Sequence, residues 1–461
     1  MANQTNQPIT VVGAGPVGCV LATMLARRGF DVTAYEKRDD MRERAADGGR
    51  SINLVLTDRG LHALDRLGIR DKVLELTVPV LGRMMHSRQG ELTYQPYGSD
   101  DSECNHSVSR GQLNEYLLDA AEAAGVKIHF QHELIDADFE ANRLEFRVPG
   151  EEPTRSVEAP VIFGCDGAPS AVRQCMVKDE AITEEVEFMD WGYKELVFPA
   201  AEDGSYPMEK KALHIWPRGG HFLMGLANLD GSFTGTIYLP RKGPNSFAEL
   251  DDPERIRSFF KAHYADAIPL LDSFVDEFND HPTGSLGTVR AAPWHMNGQV
   301  LLVGDAAHGI VPFFGQGLNC GFEDCAVLDD LLQRNEPFEQ LFRRFYESRK
   351  PNTDAIADMA LENAVEMGEK VANPEFLKRK KVESILERQL GDLYRSRYAT
   401  VMYSQIPYGV ALEVGERQKE LLAELSDGLE RPEDVDLDRA RQLIDEKITP
   451  LYEQHEVELD F

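Results

Sequence analysis

The sequence predicts an α/β fold in which a nucleotide-binding domain is interrupted by an antiparallel sheet and followed by a helical C-terminal region. Three observations carry this. Residues 8–36, PITVVGAGPVGCVLATMLARRGFDVTAYE, read as strand, glycine turn, helix and strand. Residues 161–173, VIFGCDGAPSAVR, and 299–320, QVLLVGDAAHGIVPFFGQGLNC, repeat the logic: an apolar run of strand length delivers an aspartate beside a glycine at its carboxyl end. Between them, residues 184–239 alternate like antiparallel strands, and beyond Asp324 apolar residues recur with helical spacing.

A chain of 461 residues, 42 % apolar, supports two or three domains with a large core. A formal charge of -30 argues against nucleic acid and anionic membranes, which reward clustered Lys and Arg. The acids after Val410 read as solvated helix faces and not as a docking surface. Cys19, Cys104, Cys165, Cys175, Cys320 and Cys325 form no CxxC pair, which points to a reduced, cytoplasmic protein. No basic-plus-apolar signal precedes Ile9 and no run of about 18 uncharged apolar residues occurs, so neither secretion nor a membrane span is expected. A homodimer is left open.

Residues 9–12 form the first strand, and Gly13-Ala-Gly15-Pro-Val-Gly18 is GxGxxG. Val17, Val20, Leu21, Met24 and Leu25 keep helical spacing until Gly29; residues 31–35 form the second strand, ending in Glu36. In this Rossmann-like unit Gly13 allows the tight turn, Gly15 lets backbone approach a pyrophosphate, and Gly18 lets helix pack on strand. Glu36 can accept hydrogen bonds from ribose hydroxyls. Lys37 and Arg38 could meet an NADP 2′-phosphate, but Glu36 would repel it, so FAD is the better fit.

Thr57 is a plausible N-cap for a scaffold helix over 58–67, closed by Gly68. Strands over 84–86 and 91–97 flank an Arg88-Gln89-Gly90 turn, with Arg83 and Tyr97 beside the hairpin. By itself an arginine at a strand start reads as a surface cation. A helix over 112–124 follows Arg110, strands follow over 126–131 and 144–148, and the Asp166-Gly167 turn closes the next strand. Residues 212–216, 221–227 and 233–239 are strands joined by glycine turns; 251–278 is helical, and 281–293 returns the chain to the first domain. In 299–320, the Gly304-Asp305 turn and the glycine-rich loop that follows suit a polyhydroxylated, phosphorylated ligand, although a tight turn with a capping aspartate fits that stretch alone equally well. Helical periodicity returns over 338–346 and 354–371. The domains expected are 1–75, 105–180 and 294–350 for the nucleotide, 76–104 and 181–293 for the substrate, and 351–461 as a helical region.

GxGxxG with Glu36, the Asp166-Gly167 turn and the Gly304-Asp305 turn, in that order and spacing, resemble the FAD-dependent group A aromatic hydroxylases of the p-hydroxybenzoate hydroxylase fold. GRSINLVLTDRG at 49–60, Gln95-Pro-Tyr97-Gly98, Ala212-Leu-His-Ile-Trp-Pro217, His281-Pro-Thr-Gly284, Val311-Pro-Phe-Phe-Gly-Gln-Gly317 and Met359-Ala-Leu-Glu-Asn363 narrow the likeness to the kynurenine 3-monooxygenase branch of that family, over essentially the whole chain. Eukaryotic members carry a C-terminal hydrophobic anchor, whereas this chain ends EQHEVELDF, so membrane attachment is not inherited.

The resemblance implies FAD as cofactor and NADPH as co-substrate, with no second Rossmann motif for the latter. It implies hydroxylation of L-kynurenine to 3-hydroxy-L-kynurenine by O2 through a flavin hydroperoxide, in tryptophan degradation and NAD biosynthesis. FAD would contact Gly13, Gly15, Val17, Gly18, Glu36, Lys37, Arg38, Val55, Arg110, Leu134, Asp166, Gly167, Gly304, Asp305, Gly315, Gln316, Gly317, Leu318 and Asn319. Arg83 would pair with the substrate carboxylate, with Tyr97, Asn363 and Tyr398 at the polar end. Met224, Leu226, Tyr238, Pro312, Phe313, Phe314 and Met367 would line the aromatic end, the two phenylalanines separating cofactor from substrate. No side chain is expected as a catalytic base and no metal is expected; His308 reads as a packed or hydrogen-bonded histidine beside the cofactor. The alternatives are a hydroxylase of the same fold for another aromatic acid, an FAD-dependent reductase or halogenase, and a non-catalytic nucleotide-binding protein.

Overall fold

The computed structural model describes residues 7–43, 53–98, 100–152, 154–369 and 374–457; residues 49–52 of the GRSINLVLTDRG stretch lie outside it. The chain divides into two compact units, Met1–Thr77 with Val108–Met189 and Leu286–Asp354, and Val78–Ser107 with Asp190–Ser285 and Ala355–Phe461.

Among the described residues, the first unit is built on a six-stranded sheet in the order His295–Met296, Val300–Leu302, Val161–Gly164, Pro8–Val12, Asp31–Tyr35, Lys127–His129. The middle strands pair in parallel, Ile9 with Val161 and Val32, and Ile162 with Val300. Buried on both faces, they are continuous β-branched and apolar runs, as parallel strands must be. Val11, Val20, Ile162 and Leu301 are fully buried in the resulting core. A separate antiparallel sheet, Glu133–Asp138, Arg143–Arg147 and Arg155–Glu158, includes two strands that the sequence did not reveal. Their faces are largely exposed, which leaves little apolar alternation to detect.

In the second unit, Gly82–His86, Leu92–Pro96, Ala212–Pro217, Phe222–Ala227 and Phe233–Pro240 belong to one mixed sheet, and register separates its two faces. Leu213 lies opposite Arg83 and Ile215 opposite both Met85 and Met224, while Phe222 lies opposite Tyr238. Because side chains alternate with period two, Arg83, Met224, Leu226 and Tyr238 share one face. Trp216, Leu223, Ile237 and Leu239 share the other, packed on Ile256, Phe260 and Tyr264 of the helical stretch. Helices Pro374–Gln389, Tyr408–Ser426 and Leu437–Lys447 bury Val382, Leu386, Val414, Leu421, Leu443 and Ile444 together, so the acidic tail is a helical layer with solvated charged faces.

The two helical stretches expected at 338–346 and 354–371 are one helix, Phe338–Glu369, with Pro351 inside it. Proline withdraws one N–H from the ladder, and the packing of Phe342, Phe345, Ile356 and Met359 at either side outweighs that loss. Among the described residues, no helix is long and apolar enough to cross a membrane.

The helix-covered face of the second sheet also holds histidines. His86 Nε2 lies 2.8 Å from His214 Nδ1, and the His86 ring stacks on Trp216. His221 Nδ1 lies 2.7 Å from the Tyr264 hydroxyl. Burial, then the neighbouring His214, pulls His86 down to about 4; burial and His263 pull His221 down to about 3. Both stay neutral when folded, whereas the unfolded chain takes up protons near pH 6.5. Their contribution to stability is therefore complete above about pH 6.5 and is lost as pH falls towards 4. Thermal melts between pH 7.5 and 4.5 should show it, His86 alone costing on the order of 3 kcal/mol by pH 4; a flat melting temperature across that range would contradict it.

Candidate functional site

Four adjacent parallel strands of the first unit end along one edge of the sheet, and each delivers one feature there. In spatial order these are Asp305 after Val300–Leu302, Asp166 after Val161–Gly164, the Gly13–Gly18 turn after Pro8–Val12, and Glu36 after Asp31–Tyr35. Ligands of open parallel sheets bind at these carboxyl ends. The turns touch through backbone. Gly13 sits at φ +99°, and a Cβ on it would fall 2.5 Å from the Cys165 carbonyl oxygen. Val17 packs 3.2 Å from where a Gly304 side chain would begin. At Gly15, by contrast, a Cβ would meet nothing within 4 Å, so this part of the turn faces open space.

This edge fits a dinucleotide. Helices Pro16–Arg27 and Gly317–Leu332 both begin here, and neither has an acid in its first turn, leaving two N-terminal amide clusters for phosphate. Glu36 accepts from the Ala14 amide (2.9 Å) and the Arg38 amide (3.0 Å), which pins the turn to the strand while its carboxylate keeps lone pairs. Asp166 accepts from the Ala171 and Val172 amides on Oδ2, and its Oδ1 is buried without a hydrogen-bond partner. Burial pushes the Asp166 carboxyl up, against Ser170 and those amides, which pull it down. Asp305 is exposed although residues 301–304 and 306–309 are buried, and its closed surroundings push its carboxyl up, against His308 and Arg110, which pull it down. Lys37, Arg38 and Arg110 are exposed; Leu134 is buried in the core, so only its backbone is available to a ligand.

The glycine-rich loop is held from behind. After the short 3-10 turn Pro312–Phe314, Gly315 takes a left-handed conformation, φ +70°. The helix then starts at Gly317, six residues before the Glu323 start expected from the sequence, because Gly317 and Asn319 are drawn into its first turn. Asn319 Oδ1 accepts from the Thr57 amide (2.9 Å), and its Nδ2 donates to the Val55 and Gly315 carbonyls (2.8 and 3.0 Å). Gln316 Nε2 donates to the Thr57 hydroxyl at 3.4 Å. These two side chains are engaged inside the protein, so Gln316, Gly317, Leu318 and Asn319 offer a ligand their backbone first. Thr57 is the N-cap residue of its helix, as expected, but makes no side-chain cap bond; its amide and hydroxyl serve this clamp instead.

In the second unit the expected substrate residues form a cluster. The Arg83 guanidinium lies 5.3 Å from the ring centres of both Tyr97 and Tyr398, and its Nε is 3.4 Å from the Tyr97 hydroxyl. The two rings stack at 5.2 Å, and Asn105 donates to the Tyr398 hydroxyl at 3.0 Å. Burial pushes the Tyr398 hydroxyl well up, so it stays protonated. Among the described residues no carboxylate forms a salt bridge with Arg83, so this half-buried cation is matched by rings and not by an acid. Asn363 is buried, with Nδ2 4.0 Å from the Met367 sulfur. Glu362 and Arg397, the residues just before Asn363 and Tyr398, pair at 2.9 Å and set those two in register. Phe222 stacks on Tyr238 at 4.6 Å, on the sheet face that also carries Met224 and Leu226. Phe313 and Phe314 belong to the first unit and are buried there, while Pro312 is exposed.

Sequence reasoning missed Gly60, Arg59, Glu323, Asp324 and Arg349. Gly60 had a signal, a glycine inside a helix that marks close approach: a Cβ there would fall 2.4 Å from Asn319 Oδ1. The others are buried ions whose partners come from distant segments, and local pattern does not report them. His308 is hydrogen-bonded, as expected, with Asp324 at 2.6 Å.

The FAD binding domain family model matches residues 6–337. The chain is 48 % identical over 456 residues to a kynurenine 3-monooxygenase of Myxococcus xanthus, covering 99 % of this chain and 98 % of that one. A kynurenine 3-monooxygenase of Stenotrophomonas maltophilia is 39 % identical over 436 residues, 95 % and 96 % of the two chains. Among solved structures, the tetrameric form of 2-methyl-3-hydroxypyridine-5-carboxylic acid oxygenase superposes with a TM-score of 0.64 at 22 % identity, over 82 % of this chain and 96 % of that one. P. aeruginosa PqsL in complex with 2-aminobenzoylacetate gives 0.63 at 20 % identity, over 79 % and 98 %. At such identities the structural likeness speaks to the fold.

The clamp yields a test with a sign. Helix propensity alone would make Gly60→Ala stabilising by up to about 1 kcal/mol. The contact with Asn319, whose amide is held on three sides, should reverse that: the variant is expected to lose about 1–3 kcal/mol and to bind FAD roughly tenfold more weakly. Denaturant unfolding and reconstitution of apoprotein with FAD would check both, and a more stable Gly60→Ala protein would refute the clamp.

Proposed function

The chain belongs to the kynurenine 3-monooxygenases of the FAD binding domain family, and on that footing we propose that it hydroxylates L-kynurenine to 3-hydroxy-L-kynurenine with FAD, NADPH and O2, Arg83 holding the substrate carboxylate. The observation that carries the substrate site is the Arg83 guanidinium beside the stacked pair Tyr97 and Tyr398, 5.3 Å from each ring centre. A planar guanidinium held beside rings and without a carboxylate partner among the described residues keeps N–H donors for a substrate carboxylate, which it matches in two hydrogen bonds. Tyr97, Asn363 and the protonated Tyr398 surround the same carboxylate and amino-acid end.

The aromatic ring then lies against the apolar sheet face of Met224, Leu226 and Tyr238. FAD, when bound, would supply the redox chemistry, passing electrons from NADPH to O2 so that one oxygen atom of O2 enters the substrate ring and the other leaves as water. Glu36, Asp166 and Asp305, with the amides that open the two helices, would hold it. The protein's own residues bind, orient and keep water out. No side chain is needed as a base, because the amino nitrogen of the substrate ring already enriches the carbon ortho to it. His308 is tied to Asp324 and is not placed for that role. Five of the six free thiols are buried, which supports a reducing, cytoplasmic setting.

Arg83→Met is expected to give FAD-loaded protein whose NADPH oxidation L-kynurenine no longer stimulates, with apparent substrate affinity reduced roughly a hundredfold, about 3 kcal/mol. Normal stimulation would sink the assignment. A spectral titration of the bound flavin with L-kynurenine against a hydroxybenzoate and an anthranilate separates the substrate from other aromatic acids.

A further inference from the structure

We propose that Asp324 is a positioning residue for the cofactor: by gripping Gly304 and His308, on either side of Asp305, it aims that carboxylate at its ligand. Asp324 is fully buried on helix Gly317–Leu332 and reaches back to the strand end in two places. Its Oδ2 accepts from the Gly304 amide at 3.0 Å and lies 2.6 Å from His308 Nε2. Gly304 occupies φ +64°, ψ -143°, a conformation for which side-chain-bearing residues are strained. The short helix Asp305–His308 is N-capped by one gripped residue, Gly304, and ends on the other, His308. With its neighbours at both ends tied to one buried carboxylate, Asp305 has little freedom in direction, and it is exposed where they are buried.

Behind Asp324 stands a second line of charge. Arg349 Nε donates to Asp324 Oδ1 at 2.7 Å, and Arg349 Nη1 pairs with Glu323 at 2.7 Å. Glu323 also pairs with Arg59, at 2.6 Å, on the helix that follows Val55 and Thr57. One ionic chain thus runs from the Gly304-Asp305 turn through helix Gly317–Leu332 to the segment clamped by Asn319. Although burial opposes both charges, Asp324 is held below the usual carboxylate range by His308 and Arg349, and His308 is held well above the usual imidazole range by Asp324. The spacing of His308, Cys320 and Asp324, whose ligand atoms lie within 4.8 Å of one another, would also suit a metal. Arg349 already bonds Asp324 and approaches the Cys320 sulfur at 3.5 Å, and a fixed cation there disfavours a second one.

The proposal rests on the reading of Asp305 as an FAD contact, and the experiment separates the two. Apoprotein of wild type, Asp305→Ala, Asp324→Asn and His308→Gln is titrated with FAD between about pH 5 and 8, with thermal melts and the KM for L-kynurenine in parallel. Asp324→Asn keeps the size and an acceptor for Gly304 but leaves His308 without a counter-charge. It should bind FAD roughly tenfold more weakly, with an affinity that now varies with pH where wild type is flat, while the KM for L-kynurenine stays within about twofold. A loss of fold alone would lower the melting temperature without creating that pH dependence. An Asp324→Asn protein with wild-type FAD affinity at every pH overturns the proposal when Asp305→Ala binds FAD weakly. Wild-type affinity in Asp305→Ala overturns the reading of Asp305 itself. If Asp324→Asn fails to fold, His308→Gln carries the test, since Arg349 still balances Asp324: weaker FAD binding supports the grip, and affinity within about twofold of wild type overturns it.

Discussion

The backbone of the Gly13 turn lies so close to Cys165 and Asp166 that no side chain fits between them, and the first unit is organised around keeping that contact. Two parallel strands whose carboxyl ends meet this closely bring their amides and acids onto one small patch. Gly18 against the Gly13 carbonyl, and Val17 against Gly304 and Gly321, extend the same constraint to the first helix and to the third turn. The result is a rigid edge assembled from three distant parts of the chain, with the space at Gly15 left open. Continuous buried strands make this possible, because their apolar cores resist any shift that would separate the turns.

Polar order inside that edge is graded. Asn319 and Gln316 hold the loop by neutral hydrogen bonds, and Asp324, Arg349, Glu323 and Arg59 hold it by charge. A buried ionic chain is a weak source of net stability, since desolvation offsets most of its attraction. What it supplies is direction: Asp324 and Glu323, side by side on one helix, are each held by partners on other segments, Gly304, His308 and Arg349 for the first and Arg59 and Arg349 for the second. The carboxylate at Asp305 is exposed because its neighbours on both sides are tied down.

The second unit achieves its division by alternation alone. Successive residues of each strand point to opposite faces, so one face can be covered by helices and the other can carry Arg83, Met224, Leu226 and Tyr238. The covered face tolerates the neutral histidines His86, His214 and His221 because each finds a hydrogen-bond partner. A one-residue slip in register would exchange the faces and bury Arg83 among the helix-packed residues, which is why the sheet tolerates no ambiguity there.

Much of this was legible in the residue order. Glycines at 13, 15 and 18, acids at 36, 166 and 305, and the apolar runs before them determined a dinucleotide-binding α/β unit, because turn chemistry and strand length are local properties. The likeness over the whole chain also pointed to a set of expected substrate residues around Arg83. Local pattern split the helix Phe338–Glu369 into two stretches and read the helix that carries Gly60 as scaffold alone, since packing on either side decides what one residue does. Local pattern alone made Arg83 a surface cation; the resemblance gave it a carboxylate partner, and the structure sets it half-buried beside the stacked Tyr97 and Tyr398. Tertiary structure alone decided which charges are buried together: Asp324 meets Gly304 and His308 across 20 and 16 residues, and Arg349 across 25. Such pairings leave no trace in periodicity, because they are set by how helices dock and not by the spacing along any one of them.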